Sequence, residues 1–414
     1  MKLIEFAGRN VLRNTRRSAL AASSVLLSIL MIVVLNGLTE GFLDSLVRNY
    51  TKNETGHVNI SSSGFRARER FMPVDEYIPS AEAVATKAVD LLGSAGIGAR
   101  FAERIRFGVI LSAGDNTKTA LGMAGEPEKE KSLLMLDRSM LEGGTYLPRP
   151  GTAILGEKLA RDLGLGVGDP LKIVTKKSDG GLGYKRLVIS GIFRTGVNSL
   201  DGTVFQMGLA DARELLGMEG GSQSILLMLD DYRNADKAAS ILASSPDYGP
   251  DSGLSVLPWT KIGEYPALIT MARSVYIWIW VFVAFLGAFI IANVLMMVIL
   301  ERRRETGILM SMGMPRREIL GLFVLEGAMI GAAGSAAGAL LGTLFNLGFE
   351  KNGFDLTSAM AAMTWPMDNV IHPHPDIPSA LAFVALGTLV AALVSWLPAR
   401  SASRMNPVDA IRSA

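Results

Sequence analysis

The stretch ERRRETGILMSMGMPRREIL, Glu301 to Leu320, decides the reading of this chain, because it sets five arginines between two long apolar runs. Arg302, Arg303, Arg304, Arg316 and Arg317 would each cost roughly 2.5–3.5 kcal/mol at the centre of a bilayer on insertion scales. Basic residues in short loops beside membrane spans mark the cytoplasmic side. Ile308, Leu309 and Met312 stand at i, i+1 and i+4, which is one face of a helix. Gly313 and Pro315 then end that helix, since glycine takes the C-terminal cap readily and proline has no amide hydrogen to extend the ladder. The segment 301–318 is therefore expected to be a short cytoplasmic helical hairpin with an apolar face for a partner, rather than a loop that only faces water.

Two runs flank it. Ser274 to Leu300 is 27 uncharged residues, with Tyr276, Trp278 and Trp280 at its outer end as an aromatic belt. The run after the hairpin, 319–349, is broken only by Glu326 and is dense in glycine. Gly327 with Gly331, and Gly334 with Gly338 and Gly342, repeat every four residues, the pattern that lets helix backbones approach closely in lipid. These positions, with Glu326, are expected to pack helices; Arg303 or Arg304 is expected to reach the Glu326 carboxylate. Ser18 to Thr39 and Ile377 to Ala399 complete a set of four spans. The first, at 22 residues, is too long for the apolar core of a signal peptide. Residues 1–17, with Phe6, Val11 and Leu12 among Arg9, Arg13, Arg16 and Arg17, suit an interfacial helix leading into it.

Composition agrees with a hybrid. Of the 414 residues 49% are hydrophobic and 19% charged, with a mean hydropathy of +0.31: too apolar for an ordinary soluble protein, too charged for one wholly in the membrane. The absence of cysteine excludes disulfides, thiolate metal sites and cysteine nucleophiles. The pieces 1–17, 301–318 and 400–414 carry 13 basic and 5 acidic residues, whereas 40–273 carries 27 and 29. That sorting places both termini in the cytoplasm, and it is not the charge pattern of a nucleic-acid-binding protein.

From 40 to 273 there is no span. Alternation predicts strands at His57–Ser61, Gly108–Ala113, Leu171–Thr175, Arg186–Phe193 and Ser224–Leu229, and helices at Pro79–Leu92, Ala153–Leu163, Ala210–Leu216 and Ala235–Ala243. The fold class expected is an α+β membrane protein, one span and then three, with a mixed α/β domain between the first and second. Gly164, Gly166 and Gly168 follow a helix instead of opening one, so they read as a helix-to-strand turn and not as a phosphate cradle. No GxxxxGK[ST] occurs, so no nucleotide cofactor is expected on this chain. In the loop 350–376, His372 and His374 have only Asp368 and Asp376 beside them, and no metal site is expected.

Three groups of residues together resemble a known family. Glu301, Glu305, Gly307, Ile308, Leu309, Gly313 and Arg317 fit the coupling-helix pattern of the FtsX-like permeases, with Thr306 in place of the usual aliphatic residue. Ala7, Arg9, Asn10, Leu12, Arg13 and Arg17 resemble that family's N-terminal entry. Pro398, Ala399, Ala402, Pro407, Ala410 and Arg412 resemble its C-terminal signature. These permeases are the membrane subunits of MacB-type and lipoprotein-releasing (LolC/LolE-type) ABC transporters, and the chain is more similar to the second kind.

The resemblance implies an inner-membrane protein whose domain 40–273 is periplasmic, with a lobe inserted near 130–200. It implies that Glu301, Arg302, Arg303, Arg304, Glu305, Gly307, Ile308, Leu309, Met312, Gly313 and Arg317 couple to two ABC ATPase subunits, where ATP and Mg reside, and that a second FtsX-like permease completes the assembly. The expected function is ATP-driven extraction of lipoproteins for a periplasmic carrier; MacB-like efflux of peptides or drugs with a membrane-fusion protein, or FtsX-type regulation of a periplasmic hydrolase, are the alternatives. A carrier would be held by the hairpin containing Lys176, Lys177, Tyr184 and Lys185. A lipid-anchored cargo needs an apolar groove open to membrane lipids, and Val34, Leu38, Phe42 and Leu46, facing Val275, Ile279 and Phe282, offer one.

Overall fold

The computed structural model describes residues 2–13, 15–114, 116–134, 136–147, 149–194, 198–301, 303–355 and 370–404. In chain order its helices are α1 (Lys2–Arg13), α2 (Thr15–Tyr50), α3 (Ser63–Ala67), α4 (Ala81–Ser94), α5 (Pro127–Lys129), α6 (Glu157–Leu163), α7 (Asn198–Thr203), α8 (Leu209–Leu216), α9 (Ala235–Ala243), α10 (Tyr265–Glu301), α11 (Arg303–Ser311), α12 (Arg316–Glu350) and α13 (Ile377–Ser403). Its strands are β1 (Val58–Ser62), β2 (Ala99–Ala113), β3 (Asn116–Gly125), β4 (Thr152–Gly156), β5 (Pro170–Lys176), β6 (Leu182–Phe193), β7 (Val204–Gly208), β8 (Ser224–Leu229), β9 (Leu254–Pro258) and a short pair, β10 (Phe354–Asp355) and β11 (Val370–Ile371). The chain divides into two compact units, Leu46–Ile269 and the parts before and after it.

The helical unit holds the long apolar helices. Ser18–Thr55, Tyr265–Ile290, Arg316–Glu350 and Ile377–Ser401 are each long and apolar enough to cross a membrane. Helices α2 and α10 are longer than the apolar runs inside them; Gly41 stands within the polar extension of α2 without ending it, and Pro266 falls in the first turn of α10, where its missing amide hydrogen costs nothing. At the centre of this unit is α12. A Cβ at Gly334 would lie 2.6 Å from the Ala22 carbonyl oxygen, one at Gly338 2.5 Å from that of Leu26, and one at Gly342 2.9 Å from Val33 Cβ, all on α2. Gly327 and Gly331 make the same close approach to Ser395 and Ala391 on α13. The two rows of glycine therefore grip two different helices.

Leu46–Ile269 is built on one nine-stranded sheet in the order β3-β7-β4-β6-β5-β2-β8-β1-β9. Its organiser is β2. Ala99–Arg104 pairs antiparallel with β8, and Arg104–Ala113 pairs antiparallel with β3, so one strand belongs to both halves of the sheet. The larger core lies against the second half, where Phe107, Leu111, Leu155, Leu171, Ile173 and Phe205 are fully buried. The strands from 130–200, β4, β5 and β6, stand in this half between β7 and β2.

The order of one span, an α/β domain and three spans agrees with expectation. The elements inside the domain differ in part. Residues 153–156, expected as the start of a helix, form strand β4, and the helix begins at Glu157. All five residues of β4 are buried, and a short apolar run buried on both faces has no periodicity to separate strand from helix. Strands β3, β7 and β9 were not foreseen either; the half-exposed β3 is rich in Thr, Gly and Ala, weak strand markers apart from threonine.

Candidate functional site

The hairpin takes its shape from its punctuation. Helix α11 ends at Ser311, Gly313 adopts φ +93°, a left-handed conformation that side chains resist, and Pro315 caps the start of α12. Thr306 and Gly307 are buried, and Met310 and Met314 pack with Ile319, Phe323 and Ala399. With that face anchored, Ile308 is 46% and Met312 79% exposed, and Leu309 is half-buried at their edge. Arg304, Glu305, Arg316 and Arg317 are exposed around them. The arrangement presents two exposed apolar side chains, Ile308 on α11 and Met312 just past its end, beside exposed charged residues. Arg302 lies outside the described residues, as do the side chains of Glu301 and Arg303.

Helix α1 ties this hairpin down. Arg13 makes an ion pair of 2.5 Å with Glu305, open to solvent and so worth under about 1 kcal/mol. Deeper in, Asn10 Nδ2 donates to Glu326 Oε1 at 2.7 Å, both residues being buried. Of the two arginines expected to reach this carboxylate, Arg304 is exposed and the side chain of Arg303 lies outside the described residues. The sequence did carry a signal for Asn10, a polar residue at the buried spacing of an otherwise amphipathic helix, three after Ala7, which has no exposure.

The remaining expected positions fall as follows. Phe42 meets Tyr276 edge to face at 6.5 Å between ring centroids, and Glu40 lies 4.0 Å from Arg273, so α2 and α10 are neighbours at this level. Val275, Ile279 and Phe282 on α10 are exposed, Val34, Leu38 and Phe42 are half-buried, and Leu46 is buried. In the hairpin between β5 and β6, Tyr184 is exposed and Lys176 is exposed, while Lys185 is held by Asp211 at 2.8 Å and Glu214 at 2.5 Å. Lys177 lies 3.8 Å from Asp179, and the loop is pinned by Ser178 N, which donates to the Leu216 carbonyl at 2.8 Å. His372 Nδ1 is 2.9 Å from the Glu350 carbonyl oxygen.

Sequence reasoning missed a polar network where the halves of the sheet join. Arg104 and Glu130 form a wholly buried ion pair of 2.7 Å, and Arg104 also donates to the Asn53 carbonyl. Two residues on, Arg106 pairs with Glu69 at 2.6 Å. On the neighbouring strands His57 is buried, its Nδ1 accepting from Leu229 N at 2.9 Å, and desolvation pushes its pKa down to about 4. Arg104 and Glu130 are 26 residues apart in sequence, and nothing local to either announces the other.

A family profile described as "MacB-like periplasmic core domain" matches residues 18–244, more than half of the chain, and one described as "FtsX-like permease C-terminal" matches 277–407. The chain is 25% identical over 317 residues to the lipoprotein-releasing system transmembrane protein LolC of Xylella fastidiosa, covering 73% of this chain and 75% of that protein. The same protein of Neisseria meningitidis serogroup B is 25% identical over 296 residues, 67% of this chain and 70% of its own length. The macrolide export ATP-binding/permease protein MacB of a Shewanella species is 29% identical over 125 residues, 30% of this chain but only 17% of that protein. With four apolar helices in the order one then three, an α/β domain between them, and matches at both ends, the chain belongs to the FtsX-like permeases with a MacB-like periplasmic core domain, ABC transporter permeases of the LolC/MacB type.

Proposed function

We propose that this permease extracts lipoproteins from the inner membrane, using ATP hydrolysed by two partner ABC subunits that dock on its hairpin, together with a second permease of the same family. The observation that carries this reading is the extent of the LolC likeness, about three quarters of each chain, against a sixth of MacB. In this reading the 13 basic residues of the short segments hold the hairpin and both termini in the cytoplasm, and Leu46–Ile269 is periplasmic.

The helical unit supports a mechanical route. A push on Ile308 and Met312 moves α11 against Ile319 and Phe323 of α12; α12 grips α2 and α13 through its two glycine rows; α2 runs without a break to Tyr50. The exposed Val275, Ile279 and Phe282, beside Phe42, suit an acyl chain, each buried CH₂ of which is worth roughly 0.8 kcal/mol. A photo-crosslinker placed at Phe42 or Ile279 should capture a lipidated protein in growing cells. Capture of unlipidated peptide cargo alone would favour the MacB-like efflux reading, which the 29% identity over 125 residues keeps as the second choice.

A further inference from the structure

Helix α2 enters the Leu46–Ile269 unit at Leu46 and α10 leaves it at Ile269, and inside that unit the two helices meet at Tyr50. Tyr50 is the last residue of regular α-helix in α2; beyond it the chain opens into a single π turn, Thr51–Thr55, and leaves it at Gly56 with φ +68°. The Tyr50 ring stacks on Tyr265, the first residue of α10, at 4.6 Å between centroids and 24° between planes. Its hydroxyl donates to the Ile262 carbonyl at 2.5 Å, 212 residues away in sequence.

Gly263 makes room for that bond. A Cβ there would lie 2.6 Å from Tyr50 Oη, and at φ +67° the backbone already disfavours a side chain. Tyr50 is buried, yet neither ring is part of the core around Phe107 and Phe205. Packing alone would be served by phenylalanine. A buried tyrosine hydroxyl needs a partner, and this one takes it on the turn that starts the second helix. The π turn after Tyr50 is held to β2 by Arg104, which donates to the Asn53 carbonyl. The end of α2 therefore has two attachments, one to the sheet and one to α10.

We propose that Tyr50 is a positioning residue for ATP-driven transport: it binds the end of α2 to the start of α10, so that both helices act on the domain as one lever. The proposal rests on the ATP-driven reading above and is independent of what is carried. With the joint loosened, α2 slips against α10 before it moves the sheet, and hydrolysis goes on with the domain left behind.

The chain has no cysteine, so Ser94→Cys and Asn352→Cys, both at exposed positions, take spin labels specifically. The test measures the distance between the two labels by pulsed electron resonance in the full permease, co-purified with its ATPase subunits in nanodiscs, without nucleotide and with ATP and vanadate. The parent protein should shift between the two states. Tyr50→Leu should lose most of that shift and Tyr50→Phe, which keeps the stack, part of it, while ATP turnover in both stays within about twofold of the parent, since coupling between sites can be lost without loss of turnover. Gly263→Ala, which pushes the hydroxyl off Ile262, should match Tyr50→Phe, and the two together should do no more than either alone, as changes at one bond do. Should Tyr50→Leu assemble poorly, the two milder variants decide. A shift that the variants keep in full, or one lost only along with ATP turnover, would overturn the proposal alone. No shift in the parent would overturn the ATP-driven reading and the proposal with it.

Discussion

Asn10 reaches across from α1 to donate to Glu326 on α12, 316 residues away in sequence, at 2.7 Å. Together with the Arg13–Glu305 pair it makes α1 a strut between the hairpin and the central helix. Removing the Asn10 amide takes one donor from a buried carboxylate, a loss of roughly 1–3 kcal/mol. Asn10→Leu should lower the melting temperature of the purified permease while Asn10→Gln keeps part of it. An unchanged melting temperature in Asn10→Leu would mean that the Asn10–Glu326 hydrogen bond adds nothing to stability.

Ile308 and Met312 present the bare part of the hairpin. Ile308→Glu with Met312→Glu should break co-purification with the ATPase subunits and leave the melting temperature within about a degree, since exposed positions away from special features change stability by under about 0.5 kcal/mol. Co-purification that survives both substitutions would remove the hairpin from the coupling role.

Gly338 and Gly348 lie on the same helix with opposite surroundings. A Cβ at Gly338 runs into the α2 backbone, whereas at Gly348 it meets nothing within 4 Å. Gly338→Leu should therefore destabilise the fold severely, read as loss of a monodisperse peak in detergent, and Gly348→Leu should leave it intact. Equal behaviour of the two would contradict the α12–α2 approach.

Arg104 and Glu130 are buried completely as a pair. Breaking such a pair from one side typically costs about 3–5 kcal/mol, because the remaining charge is stranded, whereas replacing both with apolar residues of similar size is far milder. Glu130→Leu should thus be more damaging than Arg104→Met with Glu130→Leu, a reversal of the usual additive order, measured by chemical denaturation.

His57 links the fold to pH. Its folded pKa, about 4, lies below the ordinary value of 6.5, so the unfolded chain binds the proton more tightly. Its contribution to stability is complete above pH 6.5 and falls away as pH drops toward 4, by up to about 3 kcal/mol. The melting temperature should decline over that window in the parent protein, and more gently in His57→Asn.

What the sequence made legible was what periodicity and charge encode locally: the four apolar helices, the glycine rows every fourth residue, the Gly313–Pro315 break and the face of Ile308 and Met312. The buried relations were illegible for a common reason. Lys185 looks like a free cation in KKSDGGLGYKRL, yet α8, beginning 24 residues later, brings Asp211 and Glu214 to it. Gln206 sits in a strand too short and too buried to alternate, so β7 left no periodic trace.

The shared strand β2 has a consequence for biogenesis. Strand β1 finds its two neighbours only in β8 (Ser224–Leu229) and β9 (Leu254–Pro258), so both of its edges stay open until β8 is synthesised and one of them until β9 follows. During that interval the half of the sheet from Arg104 to Gly208 has all its own partners and can close first around Phe107 and Phe205. The order of translation thus makes the later-born half a template on which the earlier-born strand must wait to be seated. A ribosome stalled before residue 224 would carry a finished half-sheet beside an adhesive, unpaired β1.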